Sequence, residues 1–198
     1  MAEGARGTEV AGTGGPLRLR TATRDDLALL RRWDEAPHVI ASDPHDDWQW
    51  EAELGVERAG REQLIAEVDG RPIGYLEILD PARDPQRYWG ADAVPGLRAI
   101  DIWIGEADAL GQGHGTRMMR LALERCFEDP TVTAVLVDPL ADNRRAQAFY
   151  QRLGFVPLGR RRFGQDLCEV HRLERDDWQK HEPAASVSDL VTRIERTP

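Results

Sequence analysis

The sequence predicts one mixed α/β domain, and three observations carry that expectation. Short β-branched runs with period-two alternation recur along the chain. Two stretches place apolar residues at i, i+3, i+4 and beyond, the spacing of a helix with one buried face. Between a strand-like run and one of those helices lies a glycine-rich turn, Gly111-Gln112-Gly113-His114-Gly115-Thr116. The order that results is strand, helices, three strands, helix, strand, helix, two strands.

Leu17–Thr21 alternates and reads as the first strand. Thr23 can cap a helix that starts at Arg24, carries Leu27, Leu30 and Trp33 on one face, and ends at Pro37. After the polar stretch His38–Asp47, the residues Trp48, Trp50, Ala52 and Leu54 suggest a second helix. Gln63–Val68 and Ile73–Leu79 are strands joined by Asp69-Gly70, a hairpin turn signal. Gly74 inside the second strand predicts a bulge or a close approach by another chain or ligand. Residues 80–97 form a long loop with three prolines and the pair Tyr88-Trp89. Loops of this length in a compact domain are functional or disordered, and the aromatic pair points to a substrate-covering role.

Ile100–Ile104 alternates as a strand with one buried face, and the glycine-rich turn follows it. Met118, Met119, Leu121, Ala122, Leu123 and Cys126 then mark a helix that Asp129-Pro130 ends. Val132–Val137 is nearly all apolar, as in a strand buried on both faces. Ala146, Phe149, Tyr150 and Leu153 define a short helix ended by Gly154, and Phe155–Leu158 and Leu167–Leu173 are closing strands. The domain is therefore assigned to residues 17–177. Residues 1–16 read as a Gly-rich flexible leader without the apolar core of a secretory signal, and residues 178–198 as a polar tail.

With 41% hydrophobic and 31% charged residues, the composition is that of a soluble globular protein. No apolar run approaches the ~20 residues of a membrane span, so a cytoplasmic protein with no membrane partner is expected. The net charge of −9 argues against nucleic acid, whose phosphates need a basic face; it is compatible with attracting a cationic ligand into an acidic cleft. Cys126 and Cys168 lack metal-type spacing and are expected to be reduced core thiols, so no metal is expected.

The glycine-rich turn is the stretch with the most chemical content. Its amides and the positive end of the helix that follows make a concavity suited to phosphate. It has no Gly-Lys-Ser/Thr of a triphosphatase and no full dinucleotide fingerprint. An acid on the preceding strand, Asp101, can face the same site or simply face solvent. Tyr150 lies on the apolar stripe of its helix and reads equally as core. Asp138 precedes Pro139 and can be a turn former. His114, among amides that would bind phosphate, is expected to turn its side chain to solvent.

The order of elements and two motifs together resemble the GNAT superfamily of acyl-CoA-dependent N-acetyltransferases. One motif is the Gly111–Thr116 loop after a strand; the other is Asn143-Arg144-Arg145-Ala146-Gln147-Ala148-Phe149-Tyr150-Gln151-Arg152-Leu153-Gly154-Phe155, similar to an N-x-x-A-x-x-x-Y-x-x-x-G-F signature. The likeness covers roughly residues 17–175. Within the superfamily the chain resembles bacterial aminoglycoside 6′-N-acetyltransferases, through Gly74-Tyr75, Trp89, Pro95-Gly96, Arg98, Ile100-Asp101, Leu110-Gly111, Asp129-Pro130 and Asp138-Pro139. Leu110 departs from the general pattern, where Gln or Arg often precedes the loop.

The resemblance implies a central mixed, mostly antiparallel sheet with splayed central strands, flanked by helices. It implies acetyl-CoA as co-substrate, held by Ile102, Trp103, Ile104, Gln112, Gly113, His114, Gly115, Thr116, Asn143 and Ala146. It implies Asp101 as catalytic acid and Tyr150 as proton donor to the leaving thiolate. It further implies an acceptor site for a cationic amine at Asp138, Trp89, Tyr88, Glu77 and Asp92, in a monomer or homodimer. Two other readings stay open. One is a member of the superfamily acting on another amine or hydroxylamine, such as a siderophore precursor, or on a protein N-terminus; siderophore-type relatives tend to carry His where this chain has Asp101. A non-catalytic acyl-CoA sensor would need the loop but neither Asp101 nor Tyr150.

Overall fold

A computed structural model describes residues 15–42, 44–45 and 48–181; most of the expected leader and tail lies outside the described residues. Seven strands form one sheet in the order β1-β2-β3-β4-β5-β7-β6. They are β1 (Leu17–Thr21), β2 (Arg61–Val68), β3 (Arg71–Leu79), β4 (Leu97–Ile104), β5 (Ala134–Val137), β6 (Val156–Phe163) and β7 (Asp166–Glu174). The helices are α1 (Leu27–Asp34), α2 (Pro37–Ile40), α3 (Trp50–Glu53), α4 (His114–Glu128), α5 (Arg144–Arg152) and α6 (Arg175–His181).

The alternation of the strands sorts residues onto two faces. Leu64, Ala66, Leu76 and Ile78 pack on Met118, Met119, Ala122 and Leu123 of α4. Ile65 and Tyr75 point the other way, onto Leu30, Trp33, Trp50 and Leu54 of α1 and α3. Because both faces are covered, β2 and β3 are buried through their centres. Truncating one such aliphatic, Leu123→Ala for example, costs about 2–5 kcal/mol at sites of this kind.

Three local devices set the frame. Asp69 (φ 52°) and Gly70 (φ 80°) are both left-handed, the geometry of a primed hairpin turn between β2 and β3. At Gly74 the register with β2 shifts in a bulge, and a Cβ there would lie 2.5 Å from the Trp103 carbonyl of β4. The expected bulge is present, and the close neighbour of this glycine is the adjacent strand β4. The third device is the divergence of β4 and β5. They pair in parallel only from Leu97 to Ala99, while β3 continues alongside β4 to Ile104. From Ile100 onward the other edge of β4 has no strand partner, and this splay opens the cleft.

Several expectations are corrected. The first helix ends at Asp34 rather than at Pro37, which instead occupies the first position of α2, where its missing N–H costs nothing. The long loop is ordered by two short 3₁₀ turns, Pro81–Arg83 and Gly90–Asp92. The last two strands are longer than read, since Arg160–Arg162 continues β6 along the sheet edge. Finally, α6 runs past the boundary set at residue 177, and Trp178 is buried with its ring stacked on Phe127.

Candidate active site

The splay between β4 and β5 makes one cleft with two halves. A cavity of about 420 Å³ is lined by Asp101, Asp138, Tyr88, Trp48, Trp50 and Asp166, among others. A second, of about 720 Å³, is lined by Gly111, Gly113–Thr116 and the exposed face of α5. Ile102, Trp103, Asn143, Ala146 and Tyr150 line both, so the halves meet at the Tyr150 ring.

In the second half, the chain leaves β4 and turns into α4 through Gly111 (φ 73°) and Gly113 (φ 80°), conformations that disfavour any side chain. Gly113 caps α4. A Cβ at Gly113 would meet no protein atom within 4 Å, so the space beside these amides is open. Helix N-terminal amides facing open space fit a phosphate. Gln112 turns away, its amide donating to the Asp108 carbonyl. His114 is not turned to solvent as expected. It is 5% exposed, its Nδ1 has no partner, and burial followed by the nearby Arg117 charge lowers its pKa, so it is held neutral. The sequence signal missed was that His114 already belongs to the first turn of α4.

Asn143 caps α5, its Oδ1 accepting from the Ala146 N–H at 3.0 Å, and it lines both halves of the cleft. Gln147, unremarked in the sequence, is buried and donates to the carbonyls of Leu140 and Ala141, both at 3.0 Å. It thereby fixes the turn that presents Asp138. Tyr150 is 8% exposed, edge-on to Phe155. Burial first, then the charges of Asp101 and Asp138, raise its pKa above the ordinary tyrosine value.

The first half is acidic. Among its described lining residues, the carboxylates are Asp34, Glu51, Asp101, Asp138 and Asp166, and the one basic side chain is Arg31, paired with Glu51. Asp101 is exposed on β4. Asp138 accepts from the Tyr88 hydroxyl at 2.7 Å, and Asp166 is bridged to His45 at 2.7 Å. The rings of Trp48, Trp50, Tyr75 and Trp103 pack together with centroids 4.7–6.4 Å apart, and three of them, Trp48, Trp50 and Trp103, also line this half. Carboxylates beside aromatic faces suit an ammonium group. The Trp48-x-Trp50 pair was read in the sequence only as helix pattern, and no local signal joined it to Trp103.

Four residues expected at the acceptor site divide. Tyr88 is there, 45% exposed and stacked on Phe163 at 4.4 Å. Trp89 is 3% exposed and packed on Phe163, which anchors the loop, and with Tyr88, Glu77, Asp101 and Asp138 it lines a further cavity of about 280 Å³. Glu77 lies opposite Asp101 on β3 but is buried, with Arg61 at 2.8 Å and the Tyr75 hydroxyl at 3.1 Å; its charge is compensated within the protein. Asp92 pairs with Arg161 of β6 and lines neither half. Both cysteines are buried thiols, and burial pushes the Cys126 thiol up to about 12, which makes it inert as a nucleophile.

Comparison with known proteins bears on this arrangement. A family model described as an acetyltransferase (GNAT) domain matches residues 22–163. An aminoglycoside N(6′)-acetyltransferase type 1 from Klebsiella pneumoniae is 31% identical over 154 residues, covering 71% of this chain and 74% of that protein. An N-hydroxyputrescine acetyltransferase from Acinetobacter baumannii is 33% identical over 123 residues, covering 58% of this chain and 56% of that protein. The crystal structure of aminoglycoside acetyltransferase AAC(6′)-Ib in complex with coenzyme A and kanamycin is similar with a TM-score of 0.74 at 27% identity, covering 84% of this chain and 99% of that one.

Proposed function

The chain belongs to the GNAT acetyltransferase family, and from that premise we propose that it transfers the acetyl group of acetyl-CoA to the 6′-amine of an aminoglycoside. One observation carries the reading: a single cleft with open helix N-terminal amides at one end, a ring of carboxylates and tryptophans at the other, and Tyr150 between them. The first end matches an anionic donor and the second a polycationic acceptor. The likeness to enzymes named for that acceptor supports the same assignment.

Acetyl-CoA supplies the activated thioester; the protein contributes placement and charge. Amides of residues 113–116 hold the phosphates. Asp101 and Asp138, with the Trp48 and Trp103 rings, hold the acceptor ammonium. An ordinary carboxylate, with pKa near ~3.9, is a weak base toward an amine. Asp101 therefore acts first by positioning the ammonium and then by relaying its proton to water. The unpaired edge of β4 presents N–H groups to the negative charge that grows on the acetyl oxygen. Tyr150, whose raised pKa keeps it protonated, donates a hydrogen bond to the sulfur as thiolate charge develops. A thiol has a pKa near ~8.5, so full proton transfer from this tyrosine would be uphill, and hydrogen bonding is the role its environment favours.

Thiol release from acetyl-CoA, followed across 6′-amino aminoglycosides, their 6′-hydroxy counterparts, diamines and hydroxylamines, tests the proposal. Turnover is expected on the 6′-amino compounds alone, with KM rising as salt screens the acidic half. Turnover confined to hydroxylamines or simple diamines would move the assignment to that acceptor class.

A further inference from the structure

Glu77 of β3 and Asp101 of β4 are register partners, and directly opposite residues of an antiparallel pair share one face with Cβ atoms about 4.5–5.5 Å apart. Their surroundings differ. Asp101 is exposed, whereas Glu77 is 6% exposed and held by the Arg61 guanidinium at 2.8 Å and the Tyr75 hydroxyl at 3.1 Å. Arg61 also bridges to Glu53, which Arg58 holds in turn at 2.6 Å. In the strand order β2-β3-β4 the charges come as Arg61, Glu77, Asp101, so the buried acid stands between a largely buried cation and an exposed acid. All three line the cavity of about 280 Å³ beside the acidic half, so no packed core separates them.

We infer that Glu77 is a positioning residue: it keeps the Arg61 guanidinium off Asp101, so that the charge of Asp101 acts on the acceptor ammonium. The inference rests on the role given to Asp101 above. Glu77 itself is too deeply buried to take the acceptor, and Arg61 and Tyr75 already engage its carboxylate. A guanidinium carries its donors in a rigid fork and pairs with the carboxylates it can reach. Without Glu77, Glu53 alone would remain on Arg61, and the vacated donors would turn to Asp101, the register partner of the lost acid. A cation there would cancel the field that places the ammonium and would repel a polycation directly. Glu77 also adds a negative charge beside Asp101, which favours proton uptake by it. Around this pair, Tyr75 faces Glu77, while Asp138, Tyr88 and Tyr150 surround Asp101, and Arg83 and Asp84 close the cavity. The test leaves all of these in place.

The test is a carboxyl-carbon NMR titration of Asp101 in the full chain, its signal identified by its absence from Asp101→Asn; it needs no acceptor. Glu77→Gln should move the Asp101 midpoint down by about one pH unit, the direction an added cation imposes. The same variant should lower kcat/KM for kanamycin roughly tenfold and leave CoA affinity unchanged. Glu77→Gln/Arg61→Gln removes the cation together with the acid that holds it. It should return the midpoint close to the wild-type value and recover most of the lost turnover. A purely structural role would lower the melting temperature without moving the midpoint. A midpoint that stays or rises in Glu77→Gln overturns the inference, as does a double variant as impaired as the single one. Should Glu77→Gln fail to fold, the double variant decides alone, since Arg58 still pairs with Glu53 and no buried charge is left bare. A midpoint close to wild type then supports the inference, and a lowered one overturns it. If the wild type does not acetylate kanamycin, the acceptor reading fails, and the titration still judges Glu77.

Discussion

Asp101→Asn removes one charge from the acceptor half and keeps the shape of the side chain. Asp101 is exposed on β4 where it lines an open cavity, so its field is weaker than that of a buried group. Two unit charges ~4 Å apart interact by about 1 kcal/mol in bulk water and about 4 kcal/mol at the effective dielectric of a protein surface. The exposure of Asp101 and the concavity around it place its contribution between these limits, about 1–3 kcal/mol, or roughly tenfold to a hundredfold in kcat/KM. Asp138, Asp34, Glu51 and Asp166 remain in place, so a polycation should still bind and the loss should fall mainly on kcat. Steady-state kinetics on an aminoglycoside, with CoA affinity measured in parallel, separates the effects. An unchanged kcat/KM, or a loss mirrored in CoA affinity, would refute the positioning role.

Tyr150→Phe keeps the packed ring and should lower kcat on the order of tenfold or more with little change in melting temperature; normal turnover would leave the hydroxyl without a catalytic part. Gly113→Val forces a β-branched residue to φ 80° and projects methyls into the open space beside the amides. It should destabilise by about 1–2 kcal/mol and weaken CoA binding beyond what stability explains, as calorimetry on the folded fraction would show. Gly74→Ala sets a Cβ 2.5 Å from the Trp103 carbonyl. It should lower both stability and acceptor turnover, because β4 carries Asp101; unaltered denaturation and kinetics would argue against that coupling. Tyr75 and Tyr150 are buried, and each is raised above the ordinary tyrosine pKa, first by burial and then by neighbouring carboxylates. Folded pKa values above the unfolded ~10 give stability that is present below that pH and lost above it. Tyrosinate absorbance from Tyr75 and Tyr150 should therefore appear only as the protein unfolds at alkaline pH, and titration of more than one of the three tyrosines near pH ~10 in the folded protein would contradict the environments described.

Features of the fold encoded in short, periodic patterns were legible in the sequence. The β2–β3 hairpin came from Asp69-Gly70, the bulge from Gly74, and α4 from its apolar stripe; each is a local signal acting on nearby backbone. The donor half was legible for the same reason, because Gly111–Thr116 is contiguous. The acidic half was legible only in part: Asp101, Asp138 and Tyr88 came with the resemblance, whereas Trp48, Trp50 and Asp166 join them from distant segments. Trp48 meets Trp103, and Tyr88 meets Asp138, only once the sheet has formed. Residue type alone also misplaced charges. Glu77 and Asp92 look like free acids in the sequence, yet Arg61 and Arg161 take them. Trp89 looks like a lid, yet burial of its ring against Phe163 makes it the anchor that lets Tyr88 reach the cleft. His114 was expected outside because it lies among amides that would bind phosphate, whereas the first turn of α4 carries it inward.

The measurement that bears most directly on the proposed chemistry is the position of the acetyl group in the product. The protein is incubated with acetyl-CoA and kanamycin, and the product is mapped by two-dimensional NMR. The account predicts a single acetamide on the 6′-nitrogen, formed roughly tenfold to a hundredfold more slowly by Asp101→Asn. An acetyl group on another nitrogen or on an oxygen, or no product while free hydroxylamines are acetylated, would contradict it.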